Sequence, residues 1–424
     1  MVMQPYRHSL FGSFIVSCYL INVTLDFFMR SFRTDCPRSK FIATLFVSAA
    51  LSTALAACSS DEPRAENTST TFRVGLEGPL SGSQRAVGQG MLQGAELAAA
   101  KLNAQGGIRG QVVEIVPIDD QADPEVAKSV ATAAVASGLD AVVGPYNSGA
   151  GGQSLPIYID DGLVPLRLTS ADATAGLGFT LQPMTSQIAP VASEAIADWA
   201  RATSVAIVVD ATQDYTRFAA EAIQSGLLAR GIAVMSVTNI SPGASSYADE
   251  IATPLADAPD LIYVVTYYPE AAVIAADLQA SGIDTTCIVD YGGFDEGYIR
   301  NAGVETAQTC TVVGVPSPSD YPGSEALIDA FEDTFNMSPD SWSPYTYDSV
   351  LILAEAIERA NSTDAVDLTE ALTNISGWSG WTGTVSFEAN TGNRLPAPVT
   401  LNRVTNEGKF TVDSSWAAAV GFIF

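Results

Sequence analysis

From Thr71 onward, short apolar runs alternate with longer amphipathic stretches, and this alternation limits the possible folds more than any other feature of the chain. FRVGLEG, beginning at Phe72, reads as a strand, and GQGMLQGAELAAAKLNAQGG, beginning at Gly88, reads as a helix closed by glycines. VVEIVPIDD is the next strand. It leads into the helix DPEVAKSVATAAVASG, with Asp123 as N-cap and Pro124 in the first turn. The series continues through DAVVGP, a helix from Pro190 to Arg201, SVAIVVD, the helix TRFAAEAIQSGLLARG, IAVMSVTNI, LIYVVTY, the helix PEAAVIAADLQASG and TTCIVDY. Apolar strands separated by amphipathic helices imply an α/β fold whose parallel sheets are flanked by helices. Two such series in a chain of 424 residues suit two doubly wound lobes.

Sheets of this kind bind ligands beyond the carboxyl ends of their strands, where loops and helix N-termini meet. The strand exits are EGPLSGS, VGPYNSGAGG, RLTSAD, VDATQDY, TYYPE and VDYGGF. Their Ser, Thr and Gly residues offer hydroxyl and N–H donors suited to a carboxylate, and their Tyr and Asp residues suit a cationic or apolar part. Any one of them alone reads more readily as an ordinary turn. The weight comes from all six.

Ahead of the alternating region, Arg38 and Lys40 precede an apolar run from Phe41 to Ala57 that ends in small residues, the pattern of a secretory signal. Leu55-Ala56-Ala57-Cys58 resembles the bacterial lipobox, which implies cleavage before Cys58 and lipidation of its thiol. Residues 1–57 are thus expected to be a leader, and residues 58–71 a lipidated cysteine and polar tether. The apolar stretch 9–28 reads either as an additional span or as sequence upstream of a true start at Met29.

The chain has 47 Asp+Glu against 20 Lys+Arg. Removing residues 1–57 takes away five basic residues (Arg7, Arg30, Arg33, Arg38, Lys40) and two acidic ones (Asp26, Asp35), leaving 45 against 15 and a net charge of −30. Such a surface repels nucleic acid. The single histidine is His8, so the remainder has no Ser–His or Cys–His pair and no His-based zinc site. Neither G-x-S-x-G nor G-x-x-x-x-G-K occurs, and GQGMLQG misses the dinucleotide spacing. No catalytic residue, cofactor or metal is expected. Cys287 and Cys310 sit in the β-type runs TTCIVD and QTCTVVG, where they could bridge neighbouring strands or remain buried free thiols.

Several motifs in order carry a family resemblance. They are Gly78-Pro79-Leu80-Ser81-Gly82, Gly88, the run Leu102 to Gly110, Asp119-Asp120, Asp123-Pro124, Val142-Val143-Gly144-Pro145, Tyr158 with Gly162, and Tyr267-Tyr268-Pro269-Glu270. Tyr347-Asp348, Trp381-Thr382-Gly383, Val385 and Phe387 follow. Over residues 72 to 400 the chain resembles the branched-chain amino-acid binding proteins, the type I solute-binding proteins of ABC importers. The resemblance implies two Rossmann-like lobes joined by a three-segment hinge, 72–189 plus 317–393 and 190–316 plus 394–424. It also implies a monomer closing on a small amino-acid-like ligand and delivering it to an ABC permease and its ATPase, outside the cytoplasm on a lipid anchor.

By the same resemblance, Ser148 grips the ligand carboxylate, with Thr169, Ser170 and Ala171 as a second donor loop. Tyr215, Tyr267 and Tyr291 close over it. Three departures stand out: Val87 replaces an aromatic, Asp172 replaces a hydroxyl, and the amine-binding acid falls on Tyr291 with Asp290 beside it. Asp172 suits a ligand with a second cationic or amide group, or else caps the next segment. A ligand-sensing receptor component is the alternative to import, and a hydrolytic enzyme is the least favoured class.

Overall fold

A computed structural model describes residues 70–422. The expected leader, the Cys58 lipidation site and the tether up to residue 69 lie outside the described residues. Two parallel sheets carry the fold. The first consists of β1 (Thr71–Gly78), β2 (Val112–Asp119), β3 (Ala141–Val143), β4 (Leu166–Arg167) and β5 (Phe179–Thr180), in the order β2-β1-β3-β4-β5. The second has β6 (Ser204–Asp210), β7 (Ala233–Ile240), β8 (Leu261–Val265), β9 (Thr286–Val289), β10 (Cys310–Gly314), β14 (Thr400–Val404) and β15 (Phe410–Val412), in the order β15-β14-β10-β9-β8-β6-β7. Within it β14 runs against the other strands, pairing antiparallel with both β10 and β15. A small antiparallel sheet joins β11 (Trp378–Gly380), β12 (Gly383–Phe387) and β13 (Arg394–Leu395).

Strand burial follows from helices on both faces. Every residue of β3 and β8 is buried, and β6 is buried from Val205 to Asp210, so these strands read as continuous apolar runs. Asp123 caps its helix as its position requires, accepting the N–H groups of Glu125 and Val126 at 2.8 and 3.1 Å. The helix Arg85–Ala104 packs against the helix Ser343–Ala360 at close range. A Cβ on Gly94 would lie 2.1 Å from the Ser343 carbonyl oxygen. Ser343 Oγ donates to the Gly90 carbonyl, and Thr346 Oγ1 to that of Met91. This contact attaches the segment after residue 317 to the first sheet.

The helix expected from Pro190 instead begins at Thr185 and runs to Glu194, followed by a π-helical turn at Ala195–Trp199. Pro190 lies inside the helix rather than at its start, because the first turn is held from elsewhere. Asp172 accepts the Ser186 N–H and Oγ, and the Ser170 carbonyl accepts the Thr185 N–H and Oγ1. The lobe division expected at 189/190 falls inside this helix. The one expected at 393/394 falls at the start of β13, whose Arg394 pairs with Phe387 of the small sheet.

Cys287 and Cys310 face each other in register on β9 and β10 and are disulfide-bonded, 23 positions apart in sequence. Closing a loop of that size contributes about 3 kcal/mol by restricting the unfolded chain. Cys287→Ser with Cys310→Ser should lower the unfolding free energy in urea by that amount. A loss below about 1 kcal/mol would show that the bond does not constrain the unfolded chain.

Candidate functional site

The strand exits of the two sheets meet around a small, nearly filled cavity. Tyr146, Ser148, Leu168, Ser170 and Gln182 line it from the first sheet, and Tyr215, Tyr267, Tyr291 and Gly292 from the second. No carboxylate, ammonium or guanidinium group is among the lining residues.

On the first-sheet side, β3 leads through Gly144 and Pro145 into the helix Ser148–Asp160. Ser148 is its first residue, placed where free N–H groups and the positive end of the helix dipole favour an anion. Ser148 Oγ accepts the Ala171 N–H at 3.1 Å, which leaves its own hydroxyl proton free to donate. Ser170 Oγ donates to Gln182 Oε1 at 3.1 Å, and Tyr291 OH reaches the same oxygen at 3.3 Å from the other lobe. Gln182 Nε2 is fully buried with no partner, a donor without an acceptor.

On the second-sheet side, Asp290 directly follows β9 and is fully buried. It accepts Tyr215 OH at 2.7 Å and Tyr263 OH at 2.5 Å. Burial raises its pKa above the ordinary carboxylate value, and the two tyrosine hydroxyls oppose that rise. Because Tyr215 spends its proton on Asp290, its oxygen can only accept from another group. Tyr146 packs between the lobes, with ring centroids 6.1 Å from Tyr267 and 5.4 Å from Trp342. Trp342 in turn meets Tyr291 edge-on at 5.5 Å. Tyr268 OH also crosses between lobes, donating to the Ser83 carbonyl at 2.8 Å.

Ser148, Ser170, Tyr215, Tyr267 and Tyr291 are therefore brought together, and four other expected residues are not. Thr169 turns its hydroxyl to Thr174 Oγ1 at 2.7 Å, beside the buried Arg167 guanidinium. Ala171 contributes its N–H to Ser148 rather than a surface to the cavity. Asp172 is exposed and binds Ser186 at the helix start, so it acts as a cap. Asp290 stands behind Tyr215 and does not line the cavity. Tyr146, Leu168, Gly292 and Gln182 were not anticipated individually. The first three lie within the strand exits VGPYNSGAGG, RLTSAD and VDYGGF, so the exit pattern itself could have found them.

The sequence profile of a family described as "Periplasmic binding protein" matches residues 71–409. "Leu/Ile/Val-binding protein homolog 2" of Brucella abortus is 27% identical over 325 residues, covering 74% of this chain and 86% of its own. A leucine binding protein from Thermotoga maritima superposes with a TM-score of 0.75 at 20% identity, over 81% of this chain and 98% of its own. The branched-chain amino acid transporter substrate binding protein of Streptococcus pneumoniae, solved in complex with isoleucine, gives 0.71 at 24% identity, over 81% and 99%.

Proposed function

The chain belongs to the periplasmic binding protein family, and from that membership we propose that it captures a small amino-acid-like ligand between its lobes for an ABC importer. The observation that carries this reading is the interlobe cavity, small and walled by residues of both lobes, with unspent donors at Ser148 and Gln182. A ligand carboxylate would receive the Ser148 hydroxyl proton, Gln182 Nε2 and the N–H groups of the helix start. A ligand ammonium would meet the Tyr215 oxygen, polarised by Asp290 behind it, and the faces of Tyr146, Tyr267 and Tyr291. These contacts, made by both lobes, would favour the closed arrangement over an open one. The relatives named for Leu/Ile/Val binding support an amino acid as the ligand class. On the same reading the protein is a monomer held outside the cytoplasm by a lipid on Cys58, and it delivers its ligand to a permease and ATPase without converting it.

A thermal-shift screen of the purified protein against amino acids, amides, ureas and small carboxylates tests this. One ligand at a hundredfold excess over its Kd should stabilise the protein by about 2.7 kcal/mol. If none of these classes stabilises it, the reading fails. For the best hit, Ser148→Ala should weaken binding by about 10- to 100-fold, the loss of one charge-assisted hydrogen bond. An unchanged Kd would remove Ser148 from the site.

A further inference from the structure

Three carboxylates converge outside the tyrosine-lined cavity. Asp295 and Glu296 follow β9 on the second sheet, and Asp340 precedes the helix Ser343–Ala360 that packs on the first lobe. One carboxylate oxygen from each lies within 4.8 Å of the other two. Asp295 is 0% exposed and Asp340 6%. Asp295 Oδ1 accepts the Gly297 N–H at 2.7 Å, but no donor from outside the triad reaches the buried Asp295 Oδ2 and Asp340 Oδ1. Glu296 is partly exposed and accepts the Ser341 N–H at 2.8 Å and the Ser341 hydroxyl at 3.0 Å, a contact between the lobes. Arg300 Nη2 stands 3.9 Å from Asp295 Oδ1 and 3.7 Å from Asp340 Oδ2, and its side chain is 52% exposed. One solvated guanidinium beyond hydrogen-bond distance does not offset three carboxylates.

Buried carboxylate oxygens with nothing to accept are costly. A cation between them would remove that cost.

We propose that Asp295, Glu296 and Asp340 form a divalent-cation site, of calcium type, that ties the two lobes together. An all-oxygen donor set selects a hard cation. Calcium bonds oxygen at about 2.3–2.6 Å, so oxygens bound to one ion stand at most about 5 Å apart, a limit the three carboxylates meet. Glu296, Arg300 and Asp340 also line a surface cavity with Ser317, Pro318 and Lys409, which supplies a path for entry. The acidic surface concentrates cations there. A metal seated on residues of both lobes favours the arrangement in which the lobes touch, and by reciprocity it should tighten ligand capture.

The test needs no small-molecule ligand, so its outcome is separate from that of the ligand screen. Metal-stripped protein is titrated with CaCl2 by calorimetry at constant ionic strength. One saturable site with Kd of about 1 mM or tighter is expected, the range of extracellular calcium modules. Asp295→Asn with Asp340→Asn should weaken it at least about tenfold with an unchanged circular dichroism spectrum. Glu296→Gln, at a partly exposed position, should weaken it similarly and serves if the double variant misfolds. No saturable heat up to about 10 mM calcium would mean that the triad is neutralised by protons alone and would overturn the site. Calcium affinity unchanged in the folded variants would overturn it as well.

Discussion

Asp290→Ala should cost the protein about 4 kcal/mol of unfolding free energy and leave the ligand cavity unable to bind. The carboxylate is fully buried and accepts two tyrosine hydroxyls, Tyr215 at 2.7 Å and Tyr263 at 2.5 Å. Alanine removes both acceptors and strands two buried donors, each worth about 1–3 kcal/mol, beside a new cavity. The functional part of the loss goes through Tyr215, which would then be free to turn its proton toward the cavity, where an ammonium needs a lone pair. Asp290→Asn keeps the volume and one acceptor oxygen, so it should recover more than half of the stability but little of the affinity. Urea unfolding and calorimetry with the hit from the ligand screen separate the two effects. An alanine variant within about 1 kcal/mol of the parent would show that the tyrosines find other partners and that Asp290 organises nothing.

Stability should also fall as pH rises from 5 to 8, against the usual behaviour of surface carboxylates. Asp120 is fully buried; its Oδ1 accepts the Ala122 N–H and its Oδ2 has no partner. Burial pushes its carboxyl up to about 7. Beside it, Glu77 is fully buried, and burial and then Asp120 hold it well above its ordinary value, opposed by the Tyr158 and Ser154 hydroxyls. A folded pKa above the unfolded one means that the native chain binds more protons through this window. The stabilisation is complete below about pH 4 and is lost as pH climbs through 7. Asp120 alone should then cost about 2–3 kcal/mol between pH 5 and 8. Asp290 is shifted in the same direction, while Asp260, held down to about 2 by Thr203 and Ser204, has finished titrating below the window. Asp120→Asn should flatten the profile by its own share. A parent profile that is level or rising from pH 5 to 8 would contradict the assignment, and so would a variant with the parent's slope.

The sequence made most of the two sheets legible because their strands are buried on both faces. β6 and β8 read as unbroken apolar runs, and Asp123-Pro124 announced its helix through capping chemistry that is entirely local. What stayed hidden depended on partners distant in sequence. β4 and β5 have two residues each, too few for any periodicity, so Gln182 just beyond β5 went unnoticed although it is the best unspent donor in the cavity. The start of the helix at Thr185 rests on Ser170 and Asp172, and Pro190 inside it gave a false signal. At the site, family spacing indicated which loops converge but not which way each side chain turns. Ser148 and Ser170 face the cavity while Thr169, between Leu168 and Ser170, points to Thr174. The acidic triad could not be seen in a chain with so many carboxylates until the fold set Asp340 beside Asp295.

Each residue around the cavity stands just past the end of a buried strand, and none belongs to the packed interior of a sheet. At the serines the cost of changing the ligand is therefore largely separate from the cost of folding, because Ser148 and Ser170 stand apart from Ile207, Val208 and Val264, the apolar residues of the second sheet. The tyrosines carry both costs at once: Tyr146, Tyr267 and Tyr291 are buried among one another and Trp342, so exchanging one also leaves a gap in the core. Tyr215 is tied furthest in, its hydroxyl committed to Asp290, so a change there would have to be accompanied by a second change inside the fold.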